Sequence, residues 1–150
     1  MTVQIVAGDP HDPAATALLK ASHDLMTSLF PAESNHFLGA DALAGPDIQF
    51  FVARRAEQTL GCVALADRGE YGEVKSMFVD PAGRGGGVGA ALLERVESAA
   101  IEKGLNVVML ETGSKLHAAH RLYERAGFTT RGPFGGYVDC AFSVFMEKRL

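Results

Sequence analysis

Arg84-Gly85-Gly86-Gly87-Val88-Gly89 sets four glycines within five residues beside an arginine. An apolar run, residues 74–79, precedes it, and an amphipathic run begins at Val88. Such a cluster cannot build a core. Glycine has no Cβ, so the backbone can turn tightly and lie against a ligand. A helix opening here has first N–H groups without partners inside the helix. Those donors, the positive end of the helix dipole and Arg84 together suit a phosphate.

The flanks give the rest of the order. Residues 3–6 read as a first strand, and Asp12-Pro13 as a helix start with Asp as cap and Pro at the first helical position. Leu18, Leu19, Leu25, Met26 and Leu29 keep helical spacing up to Pro31. Residues 31–47 are irregular, with a short helix near 41–44. Residues 48–54 and 60–66 read as a hairpin, and 71–79 as a third strand of that meander, ended by Asp80-Pro81. Val88, Leu92, Leu93, Val96, Ala99 and Ala100 mark one face of a helix that stops at Lys103-Gly104. Residues 106–111 form a strand whose run of four apolar residues predicts cover on both faces. A helix over 115–125 follows, then strands at 128–131 and 143–148 around a glycine-rich loop. This order predicts one mixed α/β (α+β) domain over residues 1–150, with helices on both faces of one sheet.

Composition narrows the partners. Charged residues make up 21% and hydrophobic residues 47%, ordinary for a soluble domain. The net charge of −4 and the lack of a basic run argue against nucleic acid. No apolar stretch approaches the roughly 18 residues of a membrane span, and the N-terminus lacks a signal-peptide pattern. Cys62 and Cys140 stand in no metal or redox spacing and read as reduced thiols of a cytoplasmic protein.

Three glycine-rich designs compete for the phosphate. A P-loop needs Gly-Lys-Ser/Thr, which does not occur. Gly85-x-Gly87-x-x-Ala90 fits a relaxed dinucleotide fingerprint, with Glu111 at the place of a ribose-binding acid. Five residues, 80–84, separate strand from glycines, however, where that fingerprint wants a tight turn. The third design is Arg/Gln-x-x-Gly-x-Gly/Ala, which holds the pyrophosphate of coenzyme A, and it reads here as Arg84-x-x-Gly87-x-Gly89.

At this loop, at residues 73–81 and at Leu122-Tyr123-Glu124-Arg125-Ala126-Gly127-Phe128, the chain resembles the GNAT superfamily of N-acetyltransferases. The resemblance is close over residues 71–130 and looser at the flanks. It implies a mixed, mostly antiparallel sheet of about seven strands, with about four helices on both faces and the fourth and fifth strands splayed apart. Acetyl-CoA, as cosubstrate, would enter that gap from one side and a small-molecule amine acceptor from the other. The pantetheine arm would pair with the strand edge at Met77, Phe78 and Val79, and the N–H groups of Arg84, Gly85, Gly86, Gly87, Val88 and Gly89 would take the pyrophosphate. A backbone N–H at Met77 or Phe78 would polarise the thioester carbonyl. The family's general-acid tyrosine falls on Tyr123, and the glutamate that serves several members as general base on Glu73. A homodimer is compatible with the resemblance. Many members carry Asn about seven residues before the tyrosine; this chain has Leu116, so the resemblance supplies no CoA contact there.

The residue chemistry agrees with those roles. An alkyl amine, with a pKa of about 10.4, arrives charged and needs a carboxylate to take its proton. Glu111, on the neighbouring strand, is the second carboxylate placed for this. A phenol can protonate a departing thiolate. Residues 31–38 and 132–139 are the expected acceptor walls. Phe134 and Tyr137 would stack on the acceptor, and Glu33 and Asp139 would hold an ammonium group. His117 and His120 share a helix face but lack a third ligand, so no metal is expected. The competing reading is an acyl-CoA-binding sensor or regulatory module without turnover.

Overall fold

The computed structural model describes residues 2–150. In chain order the elements are β1 (Gln4–Ala7), α1 (Pro13–Leu29), α2 (Ala40–Leu43), β2 (Ile48–Arg55), β3 (Gln58–Asp67), β4 (Gly72–Val79), α3 (Val88–Glu102), β5 (Val107–Gly113), α4 (His117–Arg125), β6 (Thr129–Arg131) and β7 (Ser143–Arg149). All seven strands form one sheet in the order β1-β2-β3-β4-β5-β7-β6. The mostly antiparallel mixed sheet and the four helices are those expected from the sequence.

Two antiparallel halves make up the sheet: the meander β1 to β4, and β5-β7-β6. One parallel seam joins them, and it consists of two residue pairs, Gly72↔Val108 and Glu73↔Met109. Beyond Glu73 the strands diverge. On its other side β4 stays paired to β3, with a shift of register between Cys62 and Ala64. That bulge falls at Ser76, whose φ of 55° lies in the left-handed region.

Helices cover both faces. The α3 and α4 side packs Leu92, Leu93, Val96, Tyr123 and Phe128 against Leu65, Val108 and Leu110. The opposite face packs Leu18, Leu19 and Leu43 against Phe50, Val52 and Ala64. Asp12 caps α1, its carboxylate accepting from the Ala14 N–H at 3.3 Å.

One expectation needs correcting. β5 is not covered evenly on both faces: its residues alternate between buried Val108, Leu110 and Thr112 and half-buried Val107, Met109 and Glu111. α1 packs mainly over β3 and β4. On that side Met109 is met by Arg131, whose Nη1 lies 3.3 Å from its sulfur. The partial cover matters, because it leaves Glu111 facing open space. β5 also continues to Gly113, and α4 begins two residues later than the spacing suggested.

The α3 side holds most of the buried apolar volume, and Leu92 is fully buried within it. Leu92→Ala is expected to lower unfolding free energy by about 2–5 kcal/mol, read from a urea titration.

Candidate active site

The glycine stretch forms a concave nest of free donors. A 3₁₀ turn, Pro81–Gly83, follows β4, and the Asp80 carboxylate caps it by accepting from the Ala82 N–H at 2.8 Å. Gly85 (φ 81°) and Gly87 (φ 80°) then adopt the left-handed conformation, and Gly87 is the N-cap of α3. A side chain would be strained at either position. None of the N–H groups from Gly85 to Ala90 donates to another part of the backbone. A run of outward N–H groups at a helix start is an anion site. Arg84 stands beside it, its Nε donating to the Val79 carbonyl at 3.3 Å.

From this nest a groove of about 1050 Å³ runs along the free edge of β4 and over α4. Met77, Phe78 and Val79 line it, together with Arg84, Gly85, Gly87, Val88 and Gly89. Its size and shape suit a long, phosphorylated cosubstrate. Across the gap lies a second cavity of about 100 Å³ between α1, the segment at 34–37, β4 and β5. The two share Ser22, Met26, Met77, Leu116, Ala119 and Tyr123. Gly113 allows the smaller cavity its back wall, because a Cβ there would collide with the ring of Phe30.

Tyr123 therefore stands where groove and cavity meet. It is 5% exposed, it packs edge-on to Phe128 at 5.8 Å, and among the described residues its hydroxyl makes no hydrogen bond. Burial, with a smaller push from Glu111, raises the phenol far above its usual range, so it stays protonated.

The two carboxylates differ. Glu111 lines the small cavity. It accepts from the Ser143 hydroxyl at 2.8 Å on one oxygen. Burial raises its pKa above the ordinary 4.5; the Ser143 bond and the positive charge of His36 and Lys75 oppose the shift. Glu73 is 2% exposed and does not line the cavity. Its oxygens are bound by Arg68 Nε at 3.1 Å and by the Tyr137 hydroxyl, with Lys75 Nζ at 3.5 Å. Lys75 donates in turn to Tyr137 and to the His36 carbonyl, both at 2.9 Å. This network ties β4 to both flanking loops.

The aromatic residues of the 132–139 loop lie behind the cavity. Phe134 and Tyr137 pack on each other, on Tyr71 and on Phe145. Neither lines the cavity, nor do Glu33 and Asp139. Residues Ser34 to Phe37 do, as the sequence suggested for their segment, and Phe142 completes the wall. His117 faces the groove, while His120 Nε2 lies 2.8 Å from the Gly113 carbonyl.

The acetyltransferase (GNAT) sequence pattern matches residues 15–128. This chain belongs to the GNAT acetyltransferase family. It is 46% identical over 150 residues to an IAA acetyltransferase of Azospirillum brasilense, covering 99% of this chain and 98% of that one. It is 38% identical over 128 residues to the N-acetyltransferase YsnE of Bacillus subtilis, covering 83% and 85%. Among solved structures, one assigned as an acyl-CoA N-acyltransferase from Klebsiella pneumoniae superposes with a TM-score of 0.83 at 30% identity, covering 99% and 98%. The family assignment makes the chain an N-acetyltransferase, and acetyl-CoA is the donor such enzymes use.

Sequence reading passed over several residues of this GNAT site. The sequence singled out neither Lys75 nor Arg68, and His23 carried no signal. Its spacing held a clue: Leu19, His23 and Met26 follow one another along the helix face that turns inward. Ser76 sat unremarked within an apolar run. Among the described residues three buried side-chain polar atoms have no partner: His23 Nε2, Ser76 Oγ and Gln49 Oε1. Each such group costs about 1–3 kcal/mol.

The Glu73 network gives a sharp expectation. Glu73→Ala leaves Lys75, 8% exposed, without its carboxylate. Unfolding free energy should fall by about 3–5 kcal/mol. Arg68→Ala, at a far more exposed cation, should cost less; both are measured by urea denaturation.

Proposed function

We propose that this GNAT enzyme moves an acetyl group from acetyl-CoA to a primary amine of a small, amino-acid-like molecule, by direct attack in a ternary complex. One observation carries the reading. The donor groove and the small cavity share a wall beside the place where β4 and β5 part, and Tyr123 belongs to that shared wall.

The N–H groups from Gly85 to Ala90 and the Arg84 side chain hold the pyrophosphate. The unpaired edge of β4 offers backbone groups to the pantetheine arm, as an added strand would use them. The left-handed Ser76 turns the backbone at the point where the thioester arrives, and the N–H of Met77 or Phe78 then polarises its carbonyl. The amine enters from the small cavity. Its nitrogen attacks the carbonyl carbon, forming the C–N bond; the C–S bond then breaks. The amine proton passes to Glu111, directly or through water, and Tyr123 protonates the departing thiolate.

We assign the base role to Glu111 because it is the carboxylate that lines the cavity, and burial raises its pKa, which makes it a stronger base than an exposed glutamate. Glu73, bound on both oxygens, holds the apex of the gap instead. The chain acts as one domain with reduced thiols in the cytoplasm. Cys62 is inert there, its thiol pushed up to about 12 by burial.

The test is thiol release from acetyl-CoA across a panel of amines, with IAA, named for the Azospirillum relative, included. Tyr123→Phe should lower kcat by about 10²–10⁴-fold with little change in acetyl-CoA affinity. An unchanged kcat would remove the acid role. Tight acetyl-CoA binding with no transfer to any acceptor would favour a binding module.

Glu111→Gln separates base from scaffold. A carboxyl whose pKa is raised in the folded state costs stability once pH climbs through that value, and nothing below the unfolded one. The variant should therefore lose turnover, yet resist urea better than wild type at pH 8 and equally at pH 4.

A further inference from the structure

Resting on the acetyltransferase reading, we infer that the acceptor is a small amino acid whose carboxylate is bound by His23 and Ser76 while its amine faces Glu111. The orphaned groups point there. Of the three buried side-chain polar atoms without a partner among the described residues, two, His23 Nε2 and Ser76 Oγ, belong to residues lining the one small cavity. Buried polar groups are nearly always satisfied, and a pair left open at a binding cavity marks where a ligand supplies the partner. Both can donate: an imidazole N–H and a hydroxyl. A carboxylate, with two oxygens and no proton, is the group that accepts from two such donors.

The other walls fit the rest of the molecule. Glu111 faces the cavity from β5, on the opposite side of the gap from Ser76 on β4. Ser143 occupies one of its oxygens, which leaves the other for an ammonium group. Lys75 adds positive charge to the wall; two of its three protons go to the His36 carbonyl and the Tyr137 hydroxyl, and Glu73 lies 3.5 Å from its Nζ. His23 is stacked flat against Phe37, ring centroids 4.0 Å apart, which restrains the plane of its ring. Burial lowers its pKa, so the imidazole is neutral and needs no counter-charge before the ligand arrives. Met26, Phe30 and Phe142 leave room only for a small apolar side chain. A dry cavity of roughly 150 Å³ holds benzene, and this one, at about 100 Å³, encloses a molecule of that size or smaller.

The experiment uses matched sets: L-alanine, L-alaninamide and ethylamine, then L-valine, L-valinamide and isobutylamine. Thiol release is measured with wild type, His23→Ala, His23→Gln and Ser76→Ala, and calorimetry follows the same ligands on the CoA-loaded protein. The amino acids should exceed their amides and amines in kcat/KM by about 10²-fold or more. His23→Ala and Ser76→Ala should each shrink that ratio by about 10-fold through the KM of the amino acids. His23→Gln, which keeps an N–H donor, should restore part of it. Amides or amines used as well as the amino acids, or ratios unmoved by the variants, would overturn the carboxylate subsite while leaving the acetyltransferase intact. Saturable binding of the amino acids, sensitive to His23→Ala but with no transfer, would support the subsite and sink the catalytic reading instead.

Discussion

Two backbone pairings, Gly72↔Val108 and Glu73↔Met109, are the strand pairing that joins the halves of the sheet among the described residues, and the gap opens because the pairing stops there. Parallel strands gain little from each extra pair unless side chains meet across it. Past Glu73 they do not. Ser76, in the left-handed conformation, shifts β4 against β3 and turns its outer edge. Gly113 lets the Phe30 ring approach the end of β5.

The two carboxylates follow from the same geometry. Glu73 pairs with Met109, and Glu111 stands two residues further along β5, so both project on one face of the sheet. Burial alone would disfavour charge on either. Glu73 is compensated by Arg68, Lys75 and the Tyr137 hydroxyl, which bind nearly all its acceptor capacity. Glu111 has a single hydroxyl partner and keeps a raised pKa. Neighbouring acids in unlike surroundings can divide the work: on the proposed reading one anchors the apex, and the other takes a proton.

The sequence was explicit where function depends on backbone. Gly85 and Gly87 sit at positive φ, and Gly87 opens α3, as the spacing of glycines after Asp80-Pro81 implied. Leu122 to Phe128 placed Tyr123 by its helix and its terminating glycine. The order of strands and helices was also legible, since the periodic runs of α1 and α3 and the hairpin at 48–67 carry it locally. Side-chain partnerships were harder to read. Lys75 meets Tyr137 across 62 positions of sequence and His36 across 39. Nothing local distinguishes such a lysine from one in solvent. Phe134 and Tyr137 looked like acceptor contacts because aromatic residues in a glycine-rich loop often are. They turn inward because Tyr71 and Phe145 offer a covered surface behind the cavity.

That contrast has a physical origin. On the proposed reading the donor side holds phosphate and pantetheine through N–H groups and a strand edge, which any sequence can present if glycine grants the conformation. Its signature is therefore compact and repeatable. The acceptor side is assembled from α1, the 34–37 segment, β4, β5 and Phe142, each giving one or two side chains. Changing any of them alters what fits without disturbing the nest or the seam. His23 and Ser76 show the consequence: each leaves a polar atom unpaired in the free protein, a cost of order 1–3 kcal/mol apiece that a matching acceptor removes on binding. An ill-matched amine leaves that cost in place. Discrimination between acceptors then comes from groups that lower the stability of the free protein, which is why neither looked purposeful until the fold placed them against the same cavity.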